Sequence, residues 1–152
     1  MDVISIKDFP GIRIGNAQNV DGGTGCTVIL SEGGMCAGLD VRGGGPASRE
    51  SELLKPLANA QTIHAVLFGG GSAFGLDAGG GVMQFLEEKD IGFDVGVTKV
   101  PLVCQSDLFD LTVADPHCRP DKADWDMKPV RNAYLDQLPG WKLRCRYRSN
   151  RR

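Results

Sequence analysis

The serine at position 72 follows three consecutive glycines, a combination found where a backbone or a hydroxyl group does chemistry. Residues 69–74 read GGGSAF. A glycine turn at a helix N-terminus can hold a phosphate. However, the segment lacks the lysine of GxxxxGK[ST], and Phe74 stands where GxGxxG needs its last glycine. Phe74 also breaks the GxSxG pattern of a nucleophile elbow. The remaining interpretation makes Ser72 a helix N-cap, with glycines for close packing.

A nucleophilic serine would need a base, and the sequence offers two histidines. His64 lies within an apolar run, whereas His117 lies in a polar segment. Asp121 or Asp124 would complete a set with Ser72 and His117. The spacing alone therefore leaves a serine hydrolase open as an alternative.

Arg42 and Arg49 flank a second glycine loop, within the segment 40–50 (DVRGGGPASRE). One interpretation is an arginine that binds a carboxylate at the mouth of a pocket. The other, which we favour, is a loop held by local ion pairs with Asp40 and Glu50.

The cysteine pattern favours neither a disulfide framework nor a zinc site. The number of cysteines is odd and no CxxC pair occurs, and His117–Cys118 is a metal couple without a second pair. No run of about 20 apolar residues and no signal peptide is present. The sequence therefore predicts a cytoplasmic protein without a membrane segment. The cysteines are Cys26, Cys36, Cys104, Cys118 and Cys145.

Around these residues the sequence predicts an α/β fold in layers, with a sheet covered by helix. Apolar, β-branched runs predict strands, glycine pairs predict turns, and Ser48 and Ser72 are expected to cap helices. The predicted strands are 12–16, 26–30, 35–41, 63–68 and one or two within 91–104, with a hairpin turn at 32–34. The predicted helices are 50–57 and 73–89.

Charge is unevenly distributed along the chain. Residues 126–152 hold eight Lys and Arg against two Asp, on a chain whose net charge is −2. A basic tail on an acidic body can bind nucleic acid non-specifically. The isolated Trp125 and Trp141 form no aromatic platform, so we expect no specific nucleic-acid partner.

Taken in order, several blocks resemble the L-aminopeptidase/D-esterase (DmpA-type) family of self-processing hydrolases. The resemblance runs from about residue 9 to Trp125. The blocks are FPGIRIGNAQN, GGTGCTVIL, DVRGGGPASRESELLKP, LFGGGSAFGLDAGGGVMQFLEE, VPLVCQSDLFDL and RPDKADW.

This resemblance implies part of an αββα sandwich, from a longer precursor that cuts itself into two subunits. The family nucleophile is a serine or threonine at the new N-terminus of the second subunit. Its substrates are small peptides, amides or esters, no metal or cofactor is required, and homo-oligomers are expected. The resemblance assigns no catalytic residue to this chain. It assigns pocket-shaping residues, which are Gly70, Gly71, Ser72, Ala73 and Phe109.

The resemblance ends abruptly after Trp125, where the charge changes sign. We therefore expect residues 1–125 to form the N-terminal (α-subunit) part of the peptidase domain, and residues 126–152 to be a frameshifted, non-homologous tail. Such a chain lacks the nucleophile and is expected to be inactive and poorly soluble. A binding or regulatory half-domain without catalysis is the alternative from another class.

Overall fold

A computed structural model describes residues 9–120, which form a mixed five-stranded sheet, a short hairpin and one α-helix. The large sheet has the order β1-β2-β4-β7-β3, in which β4 and β7 are parallel and the other pairs antiparallel. Its strands are β1 (Arg13–Asn19), β2 (Thr24–Met35), β3 (Ser48–Arg49), β4 (Ile63–Gly69) and β7 (Val103–Asp107). The hairpin pairs β5 (Phe93–Asp94) with β6 (Lys99–Val100).

Helical structure connects the two parallel strands, as a crossover between parallel neighbours requires. A 3₁₀ segment, Ser72–Asp77, follows β4 and leads directly into helix α1 (Ala78–Glu88). Alternate residues of the central strands bury their side chains against α1 because successive side chains of a strand point to opposite faces. The core they share contains Val28, Leu30, Ala65, Leu67, Val103, Ala78, Val82, Phe85 and Leu86.

The strands predicted over 12–16, 26–30 and 63–68 are confirmed: the first overlaps β1, which begins one residue later, and the other two lie within β2 and β4. The region 91–104 contains the hairpin strands and the start of β7. The mixed sheet with its helix confirms the α/β class. The strands were predictable because β-branched residues concentrate where both faces of a strand are covered or half-covered.

The predicted turn at 32–34 and the partner strand at 35–41 are wrong. Strand β2 runs through this region to Met35, which pairs with Ile63. The register shifts between Leu30 and Met35, and Gly34 adopts a φ of 81°. The two glycines therefore serve an irregularity within one long strand rather than a reversal between two.

Both predicted helices begin differently from the prediction. Ser48 lies in β3, and the helix predicted over 50–57 is a single 3₁₀ turn, Ser51–Leu54. Ser72 caps nothing through its side chain: the N-cap residue is Gly71, and the α-helical part starts only at Ala78.

The sheet face opposite α1 is only partly covered by residues 9–120. Apolar side chains on that face are half-buried or exposed, with Phe68 at 44% exposure. The register places them side by side: Ile14 pairs with Ile29, and Ile29 with Val66.

Several predictions fall outside the described residues. Trp125, Asp121, Asp124 and the tail 126–152 lie there, so the domain boundary and the frameshift remain predictions. Within residues 9–120, no helix is long and apolar enough to cross a membrane.

Candidate functional site

The glycine turn after β4 is held by backbone hydrogen bonds to two neighbouring strands. The Gly70 N–H donates to the Gly25 carbonyl at 2.9 Å, and the Ser72 N–H donates to the Leu108 carbonyl at 2.9 Å. The Leu108 N–H in turn donates to the Gly69 carbonyl at 2.7 Å. The turn is therefore fixed between the start of β2 and the residue that follows β7.

Left-handed backbone conformations explain why the turn uses glycine. Gly71 has a φ of 84°, and Ser72 has a φ of 55°, which is uncommon for a residue with a side chain. Because its backbone is left-handed, this serine lacks the extended conformation of a usual N-cap. The backbone conformation of the turn after β4 therefore determines how the helical segment begins.

Asp110 anchors the turn from the side of β7. Its Oδ1 accepts a hydrogen bond from the Gly71 N–H at 2.6 Å, and its Oδ2 accepts one from the Thr24 hydroxyl at 2.7 Å. A Cβ atom at Gly70 would collide with both the Asp110 carboxylate and the Thr24 hydroxyl. Only glycine fits at position 70 while the carboxylate holds this position.

A second polar group lies beneath the 3₁₀ segment. The Gln105 side-chain amide donates to the Gly75 carbonyl at 2.8 Å and to Asp107 Oδ1 at 2.9 Å. Two buried acceptors, Gln105 Oε1 and Asp107 Oδ2, have no hydrogen-bond partner among residues 9–120. Burial raises the pKa of Asp107 to about 6, against hydrogen bonds from Gln105 and Gly69 that lower it, and the nearby Asp110 adds to the rise.

Gly75 and Gly79 allow the helical segment to approach this polar group closely. A Cβ at Gly75 would collide with the Gly70 carbonyl oxygen. At Gly79, a Cβ would stand 2.5 Å from Gln105 Oε1 and 2.9 Å from an Arg49 nitrogen. At Gly79, therefore, the glycine-rich start of α1 has a packing reason, which offsets the roughly 1 kcal/mol that a helical glycine costs relative to alanine.

A cavity of about 470 Å³ opens beside the glycine turn, between the end of β1, the start of β2 and the end of β4. Its walls include apolar side chains and small polar ones. Among the described residues that line it, Asp110 alone carries a charge. The wall includes Thr24, Phe68, Gly70, Leu108 and Asp110.

The structure distributes the predicted pocket residues unevenly around this cavity. Gly70 lines it, and Gly71 lies next to it through its bond to Asp110. Ser72 is half-buried, whereas Ala73 and Phe109 are exposed, and these three are not in the cavity wall.

The sequence analysis missed Thr24 and Asp110, the pair that fixes the turn. Asp110 lies 39 positions from Gly71 and Thr24 lies 86 positions from Asp110. The sequence offered one signal for Asp110: in the DLFDL segment it directly follows Phe109, which was predicted to shape the pocket.

Neither histidine forms a catalytic pair with Ser72 within residues 9–120. His64 lies near the opposite end of β4 from the glycine turn, roughly 16 Å from Gly69 at about 3.3 Å per residue. Its Nδ1 accepts a hydrogen bond from the Leu102 N–H at 3.2 Å, and burial lowers its pKa. His117 is exposed, and its backbone N–H bonds to Asp115 Oδ1 at 2.9 Å. The geometry thus gives the serine-hydrolase alternative no support.

The chain returns over the glycine turn after Asp110. The Arg119 guanidinium lies 3.8 Å from the centre of the Phe74 ring, a cation–π contact. Cys118 is buried against Gly22, where a Cβ would collide with its sulfur. No group of three or more potential metal ligands occurs in the described part of the chain.

The second glycine loop is held by a local ion pair, as favoured above. The Arg42 Nε lies 2.6 Å from Asp40 Oδ2, and both side chains are exposed. Glu50 makes no ion pair within residues 9–120, and Arg49 instead contacts the Met83 sulfur at 2.9 Å.

These observations define a mixed α/β protein whose glycine turn and acidic, open cavity lie together at one end of a sheet. The chain belongs to peptidase family S58, whose family model matches residues 5–135. That match continues ten residues past Trp125, where the resemblance described above stops.

The names of similar proteins are consistent with membership of a peptidase family. The chain is 42% identical to an uncharacterized aminopeptidase of Mycobacterium tuberculosis over 146 residues, covering 90% of this chain and 42% of the relative. It is 42% identical to an uncharacterized aminopeptidase of Mycobacterium leprae over 124 residues, covering 76% of this chain and 34% of the relative. A 6-aminohexanoate-oligomer endohydrolase of a Kocuria species is 32% identical over 117 residues, covering 76% of this chain and 30% of the relative. The chain thus spans 30–42% of the length of these relatives.

Proposed function

We propose that this chain forms one wall of the substrate pocket in a hydrolase that cleaves N-terminal aminoacyl peptides, amides or esters. Membership of peptidase family S58 supports hydrolysis of amide bonds. The names of the mycobacterial and Kocuria relatives, aminopeptidase and oligomer endohydrolase, support the same chemistry. The observation that carries the proposal for this chain is the cavity beside the fixed glycine turn.

The nucleophile belongs, in this proposal, to a second subunit of the L-aminopeptidase/D-esterase type. An N-terminal serine or threonine can use its own α-amino group as the base that activates its hydroxyl. The described residues of this chain contain no serine paired with a histidine, which supports a role in binding rather than in attack. This chain would position the substrate while the partner subunit supplies the attacking hydroxyl.

The half-exposed sheet face supports an αββα sandwich for the assembled enzyme. In sandwiches, two sheets pack about 10 Å apart through apolar side chains. The adjacent Ile14, Ile29 and Val66 provide such a surface opposite α1. A second sheet from the partner subunit would cover them and close the cavity on that side.

A chimaera tests the assignment directly. Residues 1–120 of this chain would replace the matching part of the Mycobacterium tuberculosis relative, and hydrolysis of aminoacyl-p-nitroanilides would be followed. We expect activity from the chimaera and none from the 152-residue chain alone. A folded chimaera without activity, beside an active parent protein, would contradict the proposal. Activity at a normal enzyme rate in the isolated chain would contradict the division of roles.

The origin of residues 126–152 is a separate proposal. We infer that a reading-frame change after Trp125 produced this basic segment, because its charge opposes that of the preceding chain. Sequencing the coding DNA tests this. The alternative frames should encode the family blocks Gly-Tyr-x-Ala-Cys and a later glycine loop, and their absence would refute the frameshift.

A further inference from the structure

Charge distinguishes the cavity beside the glycine turn from an ordinary polar groove. Asp110 is the sole charged side chain among the described residues of its wall, and no lysine or arginine there compensates it. A second carboxylate, Asp107, lies nearby: burial raises its pKa to about 6, and repulsion from Asp110 adds to the rise. The cavity therefore carries a negative potential that favours a positively charged ligand group.

The Asp110 carboxylate is already oriented before any ligand arrives. Each of its oxygens accepts one hydrogen bond, from the Gly71 N–H and from the Thr24 hydroxyl. An ionised carboxylate offers about four acceptor positions, so about two remain for a ligand. Because the side chain is fixed, a ligand that binds to it does not incur the cost of ordering a flexible acid.

Apolar surface lies next to this charge. Phe68 and Leu108 line the same cavity and are 44% and 69% exposed. A ligand that carries an ammonium group and a neighbouring apolar side chain matches both features. A free amino-terminal residue has this combination, whereas an N-acylated residue lacks the charge.

We propose that Asp110 is a specificity-determining residue that binds the free ammonium group of the substrate's N-terminal residue, whose side chain packs on Phe68 and Leu108. This inference rests on the proposed hydrolase function and identifies the substrate group that this cavity selects. A charge-assisted hydrogen bond contributes about 1.5–3 kcal/mol. That range corresponds to roughly a tenfold to hundredfold preference for the free amine over its acetylated form.

Calorimetric titration of the 152-residue chain with L-phenylalaninamide and N-acetyl-L-phenylalaninamide tests the proposal. We expect the free amine to bind at least about tenfold more tightly. The Asp110→Asn variant should reduce this preference to about threefold or less. The Asp21→Ala variant removes an exposed carboxylate that does not line the cavity, so it should retain the full preference. Should Asp110→Asn fail to fold, Asp110→Glu keeps the charge but displaces the carboxylate, and it should also reduce the preference.

Equal binding of the two ligands, binding of neither, or an undiminished preference in folded Asp110→Asn would overturn the proposal. The chimaera separates this failure from failure of the hydrolase assignment. Hydrolysis of free and N-acetylated substrates at equal rates would refute the ammonium site and leave the hydrolase function intact. Absence of hydrolysis for both would count against the function itself.

Discussion

The backbone N–H of Gly71 donates a 2.6 Å hydrogen bond to the carboxylate of Asp110, 39 residues later in the chain. One residue belongs to the turn after β4, and the other follows β7, its parallel neighbour in the sheet. The bond therefore ties together two strand ends that the local sequence does not bring together. It also holds the only charge in the cavity wall, among the described residues, at a fixed position.

Removal of the Asp110 carboxylate should destabilise the fold. Asp110→Ala leaves the Gly71 amide and the Thr24 hydroxyl without their acceptor, so we expect a loss of about 3 kcal/mol in the free energy of unfolding. Asp110→Asn keeps one acceptor oxygen and should cost about 1 kcal/mol. Urea unfolding at pH 7 measures both. The exposed Asp21→Ala serves as a control and should stay within about 0.5 kcal/mol of the unaltered chain. An Asp110→Ala variant as stable as this control would contradict the anchoring role.

A methyl group at Gly75 should be more damaging than one in the other glycine-rich loop. In Gly75→Ala the new Cβ collides with the Gly70 carbonyl oxygen, so the turn or the 3₁₀ segment must move. Overpacking of this kind costs roughly 1–3 kcal/mol. At Gly44 a Cβ meets nothing within 4 Å, and Gly44→Ala should be neutral or slightly stabilising. Thermal unfolding of the pair compares them, and equal melting temperatures would contradict the close approach.

The sequence predicted the central strands because their signal is local. The β-branched run at 26–30 and the apolar run at 63–68 predict buried strands, whichever strands pair with them in the sheet. The turn at 32–34 was mispredicted for the same reason. Two glycines look alike whether they reverse a chain or relieve an irregular strand, and the pairing of Met35 with Ile63 decides between the two.

The site was less predictable than the sheet because its contacts are long-range. The glycine turn was visible in the sequence, but Thr24 and Asp110 gain their role only when β2, β4 and β7 align. Likewise, Ser72 has the residue type of an N-cap. The hydrogen bond from its N–H to the Leu108 carbonyl accompanies a left-handed backbone, which is not the extended conformation that an N-cap uses. Tertiary hydrogen bonds therefore overrode the local capping preference.

The sheet face opposite α1 should govern the solubility of the isolated chain. Val66 lies half-buried on that face, whereas the next residue, Leu67, is fully buried against α1. Val66→Lys should keep the fold and reduce self-association, since a charge interrupts the apolar surface. Leu67→Lys places a charge in the core and should prevent folding. Analytical ultracentrifugation and circular dichroism report both results. Equal association of Val66→Lys and the unaltered chain would exclude this face as the cause.

Asp107 should make stability depend on pH in a direction opposite to that of most carboxylates. Burial raises its pKa from 3.8 to about 6 in the folded protein, so between these values the folded state holds more protons than the unfolded state. Its contribution to stability therefore increases as the pH falls from 6 towards 4, and is lost as the pH rises above 6. Because the side chain is only partly buried, the full effect at pH 8 is about 1 kcal/mol once solvent screening is considered.

Asp107→Asn isolates this effect because the amide oxygen can still accept the bond from Gln105. We expect the variant to be more stable than the unaltered chain by about 1 kcal/mol at pH 8, and the difference to shrink below pH 5. Urea unfolding at intervals from pH 4.5 to pH 8 measures the difference between the two proteins, so that titrations common to both cancel. A difference that is constant over this range would show that Asp107 titrates alike in the folded and unfolded states. A difference that grows as the pH falls would show that its folded pKa is depressed rather than raised.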